Sequence, residues 1–143
     1  MKRIWLLVLM VALSAAADKR AAVPERVTAE VVSVTDGDTF RAVALVWPSV
    51  NVAVSVRIKG VDTPELRGRC KAEKVRAVRA RDYVAKLLPP GALVRLSEVR
   101  PDKYAGRVDA RVTLADGRDL ARLLIGTGLG RPYDGGRRGS WCR

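Results

Sequence analysis

Apolar and polar residues alternate through much of the chain, and the alternation breaks at a few short Gly- or Pro-containing stretches. Val27 to Val34 is dense in β-branched residues and stops at Asp36-Gly37, which predicts a strand and a turn. Thr39 to Trp47 and Asn51 to Val61 predict two more strands, joined by a turn at Trp47-Pro48-Ser49-Val50. In the second of these, Val52, Val54, Val56 and Ile58 recur at every other position, so one face is expected to be buried. From Cys70 to Leu88 the period changes: Ala77, Ala80, Val84, Leu87 and Leu88 fall at helical spacing among charged residues, and Pro89-Pro90-Gly91 ends the helix. Leu93 to Val99 and Arg107 to Leu114 follow as strands. Asp116-Gly117 turns the chain, and Asp119 is placed to cap a short helix with Leu120, Leu123, Leu124 and Thr127 on one face. Gly126, Gly128 and Gly130 close it. Three strands, a helix, two strands and a helix make an α+β chain that is mainly β. A five-stranded OB-fold barrel with one long and one short helix shows this order, and it is one topology among a few that the pattern allows.

The N-terminus does not fit this scheme. Lys2 and Arg3 precede an unbroken apolar run from Ile4 to Leu13, and Ser14-Ala15-Ala16-Ala17 offers small residues for cleavage before Asp18. The run is too short for a bilayer span of ~20 residues, so residues 1–17 are read as a signal peptide, with a retained membrane anchor as the alternative. Export to the periplasm or the medium follows from the first reading, with no stable membrane insertion after cleavage. The domain then covers residues 18–134, and residues 135–143 form a glycine-rich tail. The two cysteines, Cys70 and Cys142, suit a disulfide in an exported chain and would tie the tail to the body; two free thiols are the alternative.

Composition narrows the chemistry. The 143 residues are of single-domain size and carry 27 Lys and Arg against 15 Asp and Glu, a formal charge of +12. Without Lys2 and Arg3 the excess is +10. Such a charge suits a polyanionic partner, although 20 of the 27 basic residues are Arg and coding bias would produce the same excess. There is no histidine, which excludes Ser-His-Asp and Cys-His hydrolases, and two cysteines are too few for a structural zinc site. What is left is chemistry by carboxylates, guanidinium groups, hydroxyls or a hard cation.

In so basic a chain the positions of the acids are informative. Asp36 and Asp38 lie in TDGDT, and Asp62 and Glu65 lie in VDTPE, each cluster at the end of an expected strand. If those strands are neighbours the carboxylates converge, and converging carboxylates and carbonyls suit Ca²⁺ or Mg²⁺. Taken singly, DGD reads first as a hairpin turn and DTP as an Asx-type turn, and it is the presence of both clusters that points to a site. Arg57 precedes Asp62 by five residues and Arg107 opens the last strand. Guanidinium groups beside such a site suit a phosphodiester, because their N–H forks match phosphate oxygens.

These residues carry a resemblance. TDGDTF (35–40), VRIKGVDTPELRG (56–68), DKYAGRV (102–108) and ADGRDLARLLIGTGL (115–129) resemble the staphylococcal nuclease-like (thermonuclease) family in order and spacing, over roughly residues 26–134. The resemblance implies an OB-fold barrel and Ca²⁺-dependent hydrolysis of phosphodiesters in DNA or RNA, leaving 3′-phosphates. It implies that Asp38 and Asp62 bind Ca²⁺ by their carboxylates and Thr63 by its carbonyl, with Asp36 and Thr39 supporting them. It further implies that Glu65 orients or deprotonates the attacking water, that Arg57 and Arg107 grip the scissile phosphate, and that Lys103 and Tyr104 line the nucleotide pocket. Single-stranded DNA or RNA is the expected partner, since bases must splay against aromatic rings, and a monomer is expected.

The chain departs from the family in four places. Ala105 is inserted before Gly106-Arg107, and Tyr133, next to Pro132, stands near the position of the second pocket tyrosine. A third tyrosine of that region and the family's long C-terminal helix are missing, and a Cys70–Cys142 bridge would substitute for that helix. A catalytically silent OB module that binds nucleic acid is the competing reading. A cationic envelope-binding protein would leave the acidic clusters unexplained.

Overall fold

Alternation along the strands becomes burial inside a barrel. In β1 (Arg26–Asp36) Val27, Ala29 and Val31 point inward, and in β2 (Thr39–Trp47) Phe40, Ala42 and Ala44 do the same. The computed structural model describes residues 25–142, so the leader reading of residues 1–17 lies outside the described residues. β3 (Val50–Ile58) pairs with β2 and contributes Val56 and Ile58 to the core. A three-residue strand β4 (Gly60–Asp62) follows, then α1 (Lys71–Leu87), β5 (Leu93–Pro101), β6 (Arg107–Leu114), α2 (Leu120–Gly126) and a last short strand β7 (Arg131–Tyr133). The barrel closes in the order β1-β2-β3-β6-β5, with β5 returning to β1 and β3 parallel to β6. This is the expected α+β, mainly β architecture of an OB-fold-like barrel with one long and one short helix.

The helices cover the barrel with the residues their spacing selects. Ala77, Ala80, Val84 and Leu88 of the α1 segment are buried, while Leu87 is half-buried. Cys70 caps this helix, its sulfur accepting from the Glu73 amide at 3.4 Å. In α2 Leu120, Ala121 and Leu124 are buried, and Asp119 accepts from the Arg122 amide at 2.9 Å as its N-cap. Thr127 departs from the expected apolar face. It is exposed, and its hydroxyl donates to the carbonyls of Leu123 and Leu124, closing the last turn. Among the described residues, no helix is long and apolar enough to cross a membrane.

Three further corrections concern strands. The segment expected as one strand from Asn51 to Val61 breaks after Ile58, because Gly60 adopts φ +91°, a region that L side chains rarely enter. The chain therefore leaves the barrel, and β4 pairs instead with β7, with Asp62 opposite Arg131. Second, β7 itself has no hydrophobic period to announce it. Third, the apolar face of β3 is only half covered: Val56 and Ile58 lie in the core, but Val52 is exposed on a hairpin that projects past the barrel end, with Trp47 73% exposed at its tip. Alternation identifies a face without saying whether anything packs on it.

Cys70 and Cys142 are paired, with their Cα atoms 5.9 Å apart across 72 residues of sequence. The bridge joins the start of α1 to the end of the tail. In the chain-entropy account a loop of this size is worth roughly 4 kcal/mol. Reduction is therefore expected to lower the melting temperature, while alkylation of unreduced protein adds no label by mass spectrometry. Two labelled thiols on native protein would contradict the pairing.

Candidate functional site

Strand register alone gathers much of the site. Thr39 stands opposite Arg57 in the β2–β3 ladder, and Ser55 pairs with Arg107 in the parallel β3–β6 ladder. Arg57 and Arg107 are thus on the same face of adjacent strands, outside the barrel and near one end. Asp38 sits in the turn just before Thr39, and its carbonyl accepts from the Ile58 amide at 2.8 Å. The turn lies close against its neighbours: a Cβ at Gly37 would stand 2.8 Å from the Ala80 Cβ and 2.8 Å from the Thr63 hydroxyl oxygen. Glycine is what lets the 36–38 turn reach both α1 and residue 63.

Around that turn the polar groups form a connected set. Asp38 is buried and takes the Arg57 guanidinium at 3.0 Å on one oxygen and the Thr39 hydroxyl at 3.0 Å on the other. Arg57, also buried, lies 5.9 Å from the centre of the Tyr133 ring, near the upper limit of a cation–π contact. Asp36 accepts the Asp38 amide at 3.1 Å. Burial, the charge of Asp38 and a hydrogen bond to Asp38 raise the Asp36 carboxyl to about 6. A cleft of about 430 Å³ opens here, and Asp36, Asp38, Thr39, Arg57, Thr63, Glu65 and Arg107 all line it. Most of the residues selected from the sequence therefore meet in one place.

The Asp36 carboxyl has a measurable consequence in metal-free protein. Its folded value is raised, so between about 3.8 and about 6 the native state holds more proton than the unfolded chain. Stability from this group is therefore lost as pH rises through that window. Asp38 and Arg57 face the carboxyl, the first raising and the second lowering its affinity for the proton. Asp36→Asn, which mimics the protonated form, should melt progressively higher than the wild type as pH goes from 4 to 7. A difference that stays flat with pH would contradict the raised value.

Asp62 is set apart from this cleft. It is 1% exposed and faces a smaller cleft of about 250 Å³ that also contains Thr63, Glu65 and Trp141. Its Oδ2 accepts from Arg131 Nε at 3.1 Å, Arg131 Nη2 at 3.0 Å and the Trp141 indole N–H at 3.1 Å. Its Oδ1 is buried and has no hydrogen-bond partner. Thr63 and Glu65 line both clefts, and so does Arg138 of the tail. Arg138 donates to the Glu65 carboxylate at 2.6 Å and brings its Nε to 3.5 Å from Asp62 Oδ1. Partial burial works against the charge of Arg138, but Asp38, Asp62 and Glu65 outweigh it and hold the guanidinium above its usual pKa. Arg138 thus bridges the two halves of the site.

The nucleotide-pocket candidates lie at the edge. Arg107 is paired with Asp102 at 2.6 Å and stacked 4.5 Å over the Tyr104 ring, while Lys103 lies 5.1 Å from the same ring. This pairing holds Asp102 below the usual carboxylate range through the Arg107 hydrogen bond. Tyr104 is exposed. Tyr133 lies between Arg57 and Arg138, and its hydroxyl donates to the Gly136 carbonyl at 2.7 Å.

Four participants escaped the sequence reading: Glu73, Arg131, Arg138 and Trp141. Glu73 is buried, and its carboxylate accepts the Glu65 amide at 3.3 Å and the Arg69 amide at 3.0 Å. It thereby fixes the loop that presents Glu65. Gly68 permits the approach, since a Cβ there would meet the Glu73 carboxylate at 2.5 Å. The spacing Cys70-x-x-Glu73 resembles a capping box and was the available signal. Glu73 also lies beside the two cysteines, but their sulfurs are consumed by the bridge and offer no metal site there.

The donor set suits a hard cation. It offers the carboxylates of Asp38 and Asp62, on two clefts that share Thr63 and Glu65, and Asp62 Oδ1 is buried without a hydrogen bond. No protein-family model matches the chain, and no curated protein matches it.

Proposed function

We propose that the protein is an exported Ca²⁺-dependent nuclease that hydrolyses phosphodiester bonds in DNA or RNA, of the staphylococcal nuclease-like kind its motifs resemble. The observation that carries this reading is the meeting of Asp38, Thr63, Glu65, Arg57 and Arg107 around one cleft on the barrel. Asp38, Asp62 and the Thr63 carbonyl would hold Ca²⁺, which supplies Lewis-acid stabilisation to a phosphate oxygen. Glu65, on the cleft rim with more than half of its side chain in solvent, would take the proton of the attacking water. Arg57 and Arg107 fork onto the phosphate oxygens and neutralise the charge that builds on them. Tyr104 and Tyr133 offer rings against which bases stack, with Lys103 beside the first, and this favours single strands. The disulfide agrees with an oxidising compartment, and with the N-terminal pattern it supports a secreted or periplasmic location.

One observation favours the silent binding module instead: Arg131, Arg138 and Trp141 surround the Asp62 carboxylate. The two readings separate on a single-stranded oligonucleotide incubated with the protein in calcium and analysed by mass spectrometry. Shorter fragments ending in 3′-phosphate are expected. An intact oligonucleotide that co-purifies with the protein would instead support the silent module.

A further inference from the structure

The tail places a cation among the acids. Arg138 is the group that reaches both Glu65, at 2.6 Å, and the otherwise unpartnered Asp62 Oδ1, at 3.5 Å. Its backbone is held without help from its own side chain. Arg131 donates to the carbonyls of Gly139 and Ser140, Trp141 donates to Asp62, and Cys142 is bonded to Cys70. The Arg138 side chain itself remains 38% exposed. A fixed backbone with a partly solvated, flexible head describes an arm that can leave the acids while its tether stays in place.

We propose that Arg138 is a tethered counter-ion of the acid cluster, which a divalent cation must displace from Asp62 and Glu65, and that the Cys70–Cys142 bridge sets the strength of this competition. The proposal rests on the reading of Asp38, Asp62 and Thr63 as a cation site. Like charges cannot share these carboxylates, so cation binding and the Arg138 contacts oppose each other. Tethering matters because a group held by a short linkage acts at a high effective concentration, which falls when the linkage is cut. Departure of Arg138 also frees Glu65, since a carboxylate engaged by a guanidinium is a weaker base. The arm already borders the larger cleft with Arg57 and Arg107, so the displaced guanidinium has a phosphate-facing position to occupy.

Calorimetric titration with calcium chloride at constant ionic strength tests this in four samples: the bridged wild type, Arg138→Gln, Arg138→Lys and the reduced, alkylated wild type. Circular dichroism establishes that each is folded. Arg138→Gln should bind calcium more tightly, by on the order of tenfold. Arg138→Lys, which keeps a positive charge, should remain nearer the wild type. Reduced wild type keeps Asp38, Asp62, Glu65 and Arg138 unsubstituted and should also bind more tightly, which keeps the test independent of any one substitution. Equal or weaker binding by Arg138→Gln, with the wild type binding calcium normally, overturns the counter-ion while leaving the cation site standing. Equal affinity of bridged and reduced protein overturns the role of the bridge. Absence of calcium binding in all four samples overturns the cation site and the proposal with it.

Discussion

Glu65→Gln is expected to lower the rate of phosphodiester cleavage by about two to four orders of magnitude, the usual contribution of a positioned general base. The fold should be unaffected, because the residue is exposed and its loop is held by main-chain contacts. The Glu65 amide donates to buried Glu73, and that hydrogen bond does not involve the substituted group. The ion pair with Arg138 is partly exposed on both sides, and solvent-accessible pairs contribute about 1 kcal/mol or less. Glutamine keeps an oxygen that accepts from Arg138 but cannot take a proton from water. The loss should therefore fall on kcat with KM nearly unchanged, and oligonucleotide binding should persist. A variant that cleaves at the wild-type rate would remove Glu65 from the mechanism.

Asp62→Ala should be the most damaging change to stability among the site residues. Asp62 is buried to 99% of its surface, and its carboxylate is the meeting point of Arg131, Trp141 and, more distantly, Arg138. Removing one member of a buried ion pair strands the other. The cost should be ~3 kcal/mol, at the low end for such losses because Arg131 keeps a third of its surface in water. In a domain of this size that corresponds to a melting temperature lowered by about 10 °C. Calcium should raise the melting temperature of the wild type and leave that of the variant unchanged. A shift within about 2 °C would mean that the tail is held by the disulfide alone and that Asp62 is not its anchor.

The barrel was legible in the sequence because its strands bury one face and its turns are marked. Val27, Ala29 and Val31 alternate, Asp36-Gly37 and Asp116-Gly117 turn the chain, and Pro89-Pro90-Gly91 stops α1. The first cleft was legible because Asp38 and Thr39 share one motif and Thr39 stands opposite Arg57 in the β2–β3 ladder. The second half of the site was not. Arg131 and Trp141 reach Asp62 across 69 and 79 residues, and Arg138 reaches Glu65 across 73. Nothing local in a glycine-rich tail distinguishes those side chains from solvated ones. Glu73 was hidden differently, as one charge among Lys71, Lys74 and Arg76, though it alone of the four turns inward. The tail was expected to be tied down by Cys142, but its contribution of Arg138 and Trp141 to the Asp62 cluster, beside Arg131 of β7, depends on β4 leaving the barrel at Gly60 to pair with β7.

The reading of the cleft as a cation-dependent nuclease site has a separate consequence for charge. An excess of +10 on the chain beyond Ala17 raises the local concentration of polyanions and steers their approach, so association with DNA should weaken steeply with salt. Steering does not distinguish cleavage from binding, however, and the carboxylates do. The most direct measurement is the cleavage rate of an end-labelled single-stranded DNA by the bridged protein, followed as free calcium is raised from an EGTA-buffered zero. No cleavage is expected in EGTA, with a rate that rises with calcium to a plateau. Cleavage that is indifferent to EGTA, or DNA that stays intact at saturating calcium while bound, would contradict it.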